Sequence, residues 1–235
     1  MGVNGPDIRR RKDIGVTISI ASDSPGPLVA PVRRRRTLRA IGKRVLDAIG
    51  YDTTDWVRVV MYRRAFAYIR ELGPERLDAL EISAGPQWRR QFAFRSYAEM
   101  NFPEFDVCSD VLPQQFDLII ADQVFEHLPW PARAARNVYT MLRPGGCFVI
   151  ATPFLVRVHN SPIDCSRWTT HGLSYFLQEA GFPAAGIATD AWGNRACMKA
   201  NLTRWHKRGF FGSLRNEPEF PVMVWAFARK PGVQA

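Results

Sequence analysis

Four clusters of side chains in this 235-residue sequence have the types and spacing that chemistry needs. The densest, Thr152 to Thr169, packs His159, Asp164, Arg167 and Trp168 into one proline- and serine-containing segment. Surface loops on a rigid scaffold are where function tends to sit. A histidine titrates near neutral pH and can accept the proton of a hydroxyl held against it. His159 is the preferred acceptor, and His127, in the run Phe125-Glu126-His127-Leu128, is the second candidate. The alternative for His127 is a hydrogen-bonded, structural place at the start of the following helix. Asp164 and Arg167 either hold a substrate or pair with each other and pin the loop. The rings of Trp130, Trp168 and Trp192 suit a ring-shaped ligand or belong to the core.

The third cluster reads Glu81-Ile82-Ser83-Ala84-Gly85-Pro86. An acid followed by small residues lets a ligand approach the backbone, and the carboxylate can answer an ammonium group. Pro86 suits the first turn of a helix, where its missing N–H has no helical partner. About 20 residues on, where a nucleotide ribose would need an acceptor, Glu99 and Asn101 offer one each. Glu99 reads equally well as a solvent-facing residue at a strand end.

These residues need elements to position them. Apolar residues recur at helical spacing from Leu38 to Leu72, interrupted at Gly50, which predicts two helices. After Gly73-Pro74 short apolar runs predict strands near Leu77–Ile82, Phe94–Met100, Phe116–Ala121, Cys147–Thr152, Ala185–Thr189 and Val222–Ala228. Helices are expected near Gln87–Phe92, Pro131–Leu142, His171–Ala180 and Arg195–Arg204. Alternation of strand and helix implies an α/β, doubly wound and mostly parallel sheet. The last strand follows a long excursion and suits an antiparallel insertion. In such a sheet ligands settle at the carboxyl ends of the strands, where the strand order reverses.

Two segments carry a resemblance. Phe116-Asp117-Leu118-Ile119-Ile120-Ala121-Asp122-Gln123 runs into Phe125-Glu126-His127-Leu128, and Leu142-Arg143-Pro144-Gly145-Gly146 precedes the next apolar run. Together they resemble class I S-adenosylmethionine-dependent methyltransferases over roughly Leu77 to Phe182, and more loosely in the last strand. His159, Pro162, Asp164, Arg167 and Thr169 are also similar to an H-x-x-P-x-D-x-x-R-x-T pattern in a subgroup of small methyltransferases that modify sugars and secondary metabolites. The resemblance implies a Rossmann-like sheet of seven strands, with N-terminal helices, binding S-adenosylmethionine. It puts Glu81, Ser83 and Gly85 at the methionine end of the cofactor and Glu99 or Asn101 at the ribose. It puts Asp110 beside the adenine, Asp122 and Gln123 at the end of the fourth strand, and Asp164, Arg167 and Trp168 toward the acceptor. Ser83 stands where the family usually has its first glycine, and Asn101 where it usually has an acid. The implied reaction moves a methyl group to a small-molecule hydroxyl, of a sugar, glycolipid or secondary metabolite. Pro144-Gly145-Gly146 also makes a tight turn whatever the function.

Composition narrows the alternatives. Of a net charge of +10, residues 1–44 hold +8, with eleven Lys and Arg against three Asp, leaving +2 for residues 45–235. Residues 1–36 therefore read as a basic, disordered leader, residues 37–73 as N-terminal helices and residues 74–235 as the catalytic domain. A solvated tail is preferred for the leader over a contact with nucleic acid, anionic lipid or an acidic partner. Cys108, Cys147, Cys165 and Cys197 form no C-x-x-C pair, so no metal site is expected. A cytoplasmic enzyme is expected. A nucleic-acid methyltransferase would want an N-P-P-[YF] motif where Asp122-Gln123-Val124-Phe125 stands, and a dehydrogenase a G-x-G-x-x-G loop. A non-catalytic scaffold that kept the fold is the remaining rival.

Overall fold

The computed structural model describes residue 49 and residues 51–233. The basic leader and the first predicted helix lie outside the described residues. The central strands of the main sheet bury both of their faces, which is why their sequences are continuous apolar runs rather than alternations. On β4 (Phe116–Asp122), Ile119 and Ala121 face one layer of the core while Leu118 and Ile120 face the other. On β5 (Leu142–Pro153), Phe148 and Ile150 oppose Cys147, Val149 and Ala151 in the same way. Burying one such large side chain contributes about 1.5–3 kcal/mol.

One layer is closed by α3 (Pro131–Met141) and α4 (Thr170–Glu179), through Ala134, Ala135, Val138, Leu173 and Leu177. The other is closed by α1 (Val59–Leu72), α2 (Pro86–Gln91) and α5 (Arg195–Ala200), through Met61, Ala65, Ile69, Trp88 and Cys197. With β2 (Asp78–Ile82), β3 (Ser96–Met100), β6 (Ile187–Trp192) and β8 (Met223–Arg229), the strand order is β3-β2-β4-β5-β8-β6. β3, β2, β4 and β5 are mutually parallel, and β8 is antiparallel to both β5 and β6. The mostly parallel, doubly wound sheet with an antiparallel last strand is thus the architecture observed. The order reverses between β2 and β4, and the candidate site lies there.

Three expectations need correction. The sheet has six strands among the described residues, not seven. Between β3 and β4 the chain forms turns, and Pro103 and Pro113 withhold donors that another ladder would need. The helix expected to reach Arg204 stops at Ala200, where Asn201 folds back and its side chain donates to the Cys197 carbonyl at 2.8 Å. The Pro144-Gly145-Gly146 turn lies inside β5, where the register jumps from Leu142 opposite Phe116 to Cys147 opposite Leu118. Gly145 sits at φ 81° there, in the left-handed region that glycine enters without steric cost. An unforeseen antiparallel ribbon joins β1 (Asp52–Asp55) to β7 (Lys207–Gly209) and carries the long excursion before β8 over the carboxyl edge of the sheet.

Candidate active site

Two adjoining cavities open at the carboxyl ends of β2, β4 and β5. The larger, of about 590 Å³, is lined by Ser83, Asp106, Val107, Gln123, Val124 and Trp130 among others. The smaller, of about 220 Å³, is lined by Asp55, Arg58, His159, Trp205 and Met223 among others. Gln123, His127 and Ser161 belong to both walls.

The loops after β2 and β4 each place one residue of left-handed backbone in the wall of the larger cavity. Ser83 and Gln123 adopt φ 56° and 61°, a conformation costing a non-glycine residue about 1–2 kcal/mol and found where the surroundings enforce it. Around Ser83 the enforcement is a set of hydrogen bonds. The Ser83 N–H donates to the Met100 carbonyl at 2.8 Å, Ala84 N–H to Asn101 Oδ1 at 2.8 Å, and Gly85 N–H to Glu81 Oε1 at 2.9 Å. Serine in place of glycine is therefore accommodated, and Asn101 braces the loop instead of facing the cavity. Glu81 is buried at 2% exposure and also accepts the Tyr97 hydroxyl. Burial pushes its carboxyl up to about 7.

Glu99 points away from the cavity, toward Arg89 at 3.2 Å. Asp110 accepts the Asp106 N–H at 2.8 Å and closes its own turn. Asp106, which sequence reasoning passed over, is the carboxylate in the cavity wall. Asp122 accepts the Tyr62 hydroxyl at 2.7 Å, while its Oδ1 is buried without a partner.

The segment after β5 folds over the smaller cavity. Asp164 accepts the His159 backbone N–H at 2.9 Å and an N–H from each of the two terminal guanidinium nitrogens of Arg167. Burial would raise the Asp164 carboxyl, but Arg167 and the His159 N–H hold it below the usual range. Asp164 and Arg167 thus pair with each other within the loop. Asp164 Oδ2 lies 3.4 Å from His159 Nδ1. Burial, opposed by Asp164 and reinforced by His127, lowers the His159 imidazole below its ordinary value. His127 sits in a single helical turn, Phe125–His127, and its Nδ1 meets the Ile163 carbonyl. Because a carbonyl only accepts, that nitrogen carries the proton and Nε2 keeps its lone pair. The two imidazoles meet edge to face, 5.1 Å between centroids.

Trp168 packs against Phe176 beside the core, 5.0 Å between centroids, and Trp192 is buried with its Nε1 on the Leu214 carbonyl at 3.0 Å. Of the three tryptophans considered for a ring, only Trp130 lines a cavity. Trp205, which no local signal marks, stands edge to face with His159 at 5.3 Å, backed by Arg157 at 4.5 Å. Glu126, beside His127 in the chain, is fully buried with neither carboxylate oxygen partnered. Burial and then Asp122 push its carboxyl up to about 8.

Comparison with known proteins places this geometry in context. A family model described as a methyltransferase domain matches residues 27–193. A polyketide synthase-nonribosomal peptide synthetase of Aspergillus clavatus is 34% identical over 92 residues, 36% of this chain and 2% of that protein. The chain thus spans only a small fraction of that relative. The S-adenosylmethionine dependent methyltransferase of Mesorhizobium loti is 18% identical, with TM-score 0.48 over 74% of this chain and 100% of that one. The phosphoethanolamine N-methyltransferase 2 of Haemonchus contortus, in complex with S-adenosyl-L-methionine, is 13% identical, with TM-score 0.47 over 72% of this chain and 53% of that one.

Proposed function

This chain belongs to the methyltransferase-domain family, and from that premise we propose that it methylates a hydroxyl of a small molecule: a sugar, glycolipid or secondary metabolite. The methyl donor is S-adenosylmethionine. The residues fit it. A cavity of about 590 Å³ is within the range of about 300–1,000 Å³ usual for ligand sites. Apolar walls at Val107, Val124 and Leu128 suit a flat base, and Asp106 is the carboxylate available to a ribose. Glu81 and the unpartnered Asp122 Oδ1 lie at the two strand ends where an ammonium group needs acceptors. When bound, the cofactor supplies a methyl group already activated by a sulfonium charge.

The observation that carries the proposal is the common wall. Gln123, His127 and Ser161 border both cavities, so a donor in one and an acceptor in the other would meet across them. Holding two reactants in line is the larger part of this chemistry. In the smaller cavity Trp205 offers a face to a ring, and Asp55 and Arg58 offer hydrogen bonds to its substituents. His159 Nδ1 has Asp164 Oδ2 at 3.4 Å and Arg167 Nη2 at 3.5 Å, and its imidazole is the group this reading assigns to take the proton of the acceptor hydroxyl. His127 is the second candidate for that step. The reading takes the enzyme to be cytoplasmic; no described helix is long and apolar enough to cross a membrane.

The test is a screen with methyl-labelled S-adenosylmethionine against sugars, glycolipids and hydroxylated aromatics, with nucleic acid in parallel. Label on a hydroxyl oxygen of a cyclic small molecule is the expected result. Label on nucleic acid alone would overturn the proposal. So would cofactor binding with no transfer to any acceptor class, which would favour a non-catalytic binding protein of this fold.

A further inference from the structure

Glu126, His127 and His159 each offer a ligand atom, and these atoms lie within 4.8 Å of one another. We propose that the three hold a divalent transition-metal cation of the zinc class at the wall between the two cavities. Two imidazoles with one carboxylate are a donor set for borderline-soft cations, and they leave further positions of the ion open.

The case begins with Glu126. It is 0% exposed and both its oxygens lack a partner, although buried carboxylates are paired or bound to metal as a rule. Its Oε1 lies 3.6 Å from His127 Nε2, close to the roughly 3.3 Å between ligand atoms of a tetrahedral ion with metal–nitrogen distances near 2 Å. The third ligand atom, on His159, lies within 4.8 Å of the other two.

The second argument is the outer shell. A metal-binding histidine nearly always donates its other ring N–H to a carbonyl or carboxylate, which fixes the ring and raises its basicity. His127 has that partner. Its Nδ1 meets the Ile163 carbonyl, whereas His159 Nδ1 has both Asp164 Oδ2 at 3.4 Å and Arg167 Nη2 at 3.5 Å beside it. In the His127 ring Nε2 is the nitrogen left over. The scaffold is tied down as well: the Glu126 carbonyl accepts the Cys165 N–H at 2.7 Å, which docks the His159 loop onto the turn bearing His127.

A lone pair given to a cation is no longer free for a proton. Occupancy of the site and proton acceptance by His159 therefore exclude each other, and the ion acts as a competitor of the reaction. Only this corollary rests on the methyl-transfer reading; the binding does not.

The experiment uses the full chain, stripped with a chelator and freed of it. It is titrated with Zn²⁺ by calorimetry and with Co²⁺ by visible absorption, alongside Glu126→Gln and His159→Asn. One ion per chain is expected, with a Co²⁺ band typical of low coordination number. Affinity should be at least about tenfold weaker in each variant, since loss of an outer-shell partner alone costs about 10–100-fold. S-adenosylmethionine titration and circular dichroism of the same samples establish that the variants are folded. No stoichiometric binding to the wild-type chain would overturn the proposal, as would equal affinity in folded variants. Cofactor binding that fails while Zn²⁺ binding persists would count against the methyl-transfer reading and leave the metal site standing.

Discussion

Replacing Glu81 by Gln should move stability and cofactor affinity in opposite directions. The carboxyl is 2% exposed and burial raises it to about 7 from its ordinary 4.5. A carboxyl raised in the folded state favours folding fully below pH 4.5, and that contribution is lost as pH rises through 7. The interval, at about 1.36 kcal/mol for each pH unit, corresponds to roughly 3 kcal/mol. Gln has the same shape and can still accept the Gly85 N–H, so Glu81→Gln removes the titration without emptying the site. Urea unfolding of the cofactor-free protein at pH 5 and pH 8 measures this. Relative to wild type, the variant should gain about 2–3 kcal/mol between the two pH values. With S-adenosylmethionine present the sign should reverse under the proposal that the ionised carboxylate partners the ammonium group. Losing a hydrogen bond to a charged group costs about 1.5–3 kcal/mol, or roughly 10–150-fold in Kd. Parallel stability profiles for variant and wild type would refute the burial argument, and an unchanged Kd would refute the assignment of Glu81 to the cofactor.

Other consequences are equally direct. His159→Asn should lower kcat by about 100–10,000-fold, the range for a positioned general base, with cofactor affinity unchanged. Because burial lowers the His159 imidazole below its ordinary 6.5, the acid limb of wild-type kcat against pH should fall below that value; a limb above it would count against this base. Trp205→Ala should raise acceptor KM by about 2–10-fold, as expected for a stacking contact of about 0.5–1.5 kcal/mol, and leave S-adenosylmethionine binding untouched in calorimetry. At the opposite edge of the sheet, Arg95, with Ser96 and Arg143, holds the Asp78 carboxyl well below the usual range. Asp78→Asn should therefore destabilise the fold by about 2 kcal/mol at pH 7. That deficit should shrink as pH falls below 3.8, where the unfolded carboxyl takes up a proton while the folded one stays ionised, and urea midpoints at pH 7 and pH 3 decide it.

The elements that carry the site were legible because their signals are local. The small residues after Glu81, the proline opening α2 and the polar step at Asp122-Gln123 each mark a strand end within a few residues. Side-chain direction was not legible. Asn101 and Glu99, two residues apart, lie at the place where a ribose acceptor was expected, yet one braces the Ser83 loop and the other meets Arg89. The alternation of a strand says which face a residue takes, not what lies beyond it. Trp205 and Asp106 were missed because they lie in irregular segments whose course depends on what they pack against.

By itself the sequence determined the layered architecture. Apolar runs that fill both faces of β4, β5 and β8 demand helices on both sides, and hydrophobic periodicity is a property of neighbours along the chain. It also determined where chemistry would gather, since a parallel sheet presents its strand ends on one edge. Tertiary structure alone decided the rest: that His127 and His159 come within 5.1 Å, that Glu126 is sealed without a partner, and that Trp205 stands over the smaller cavity. Those contacts join loops from different strands. No local pattern encodes them, because they form only when burial of the sheet has brought the strand ends together.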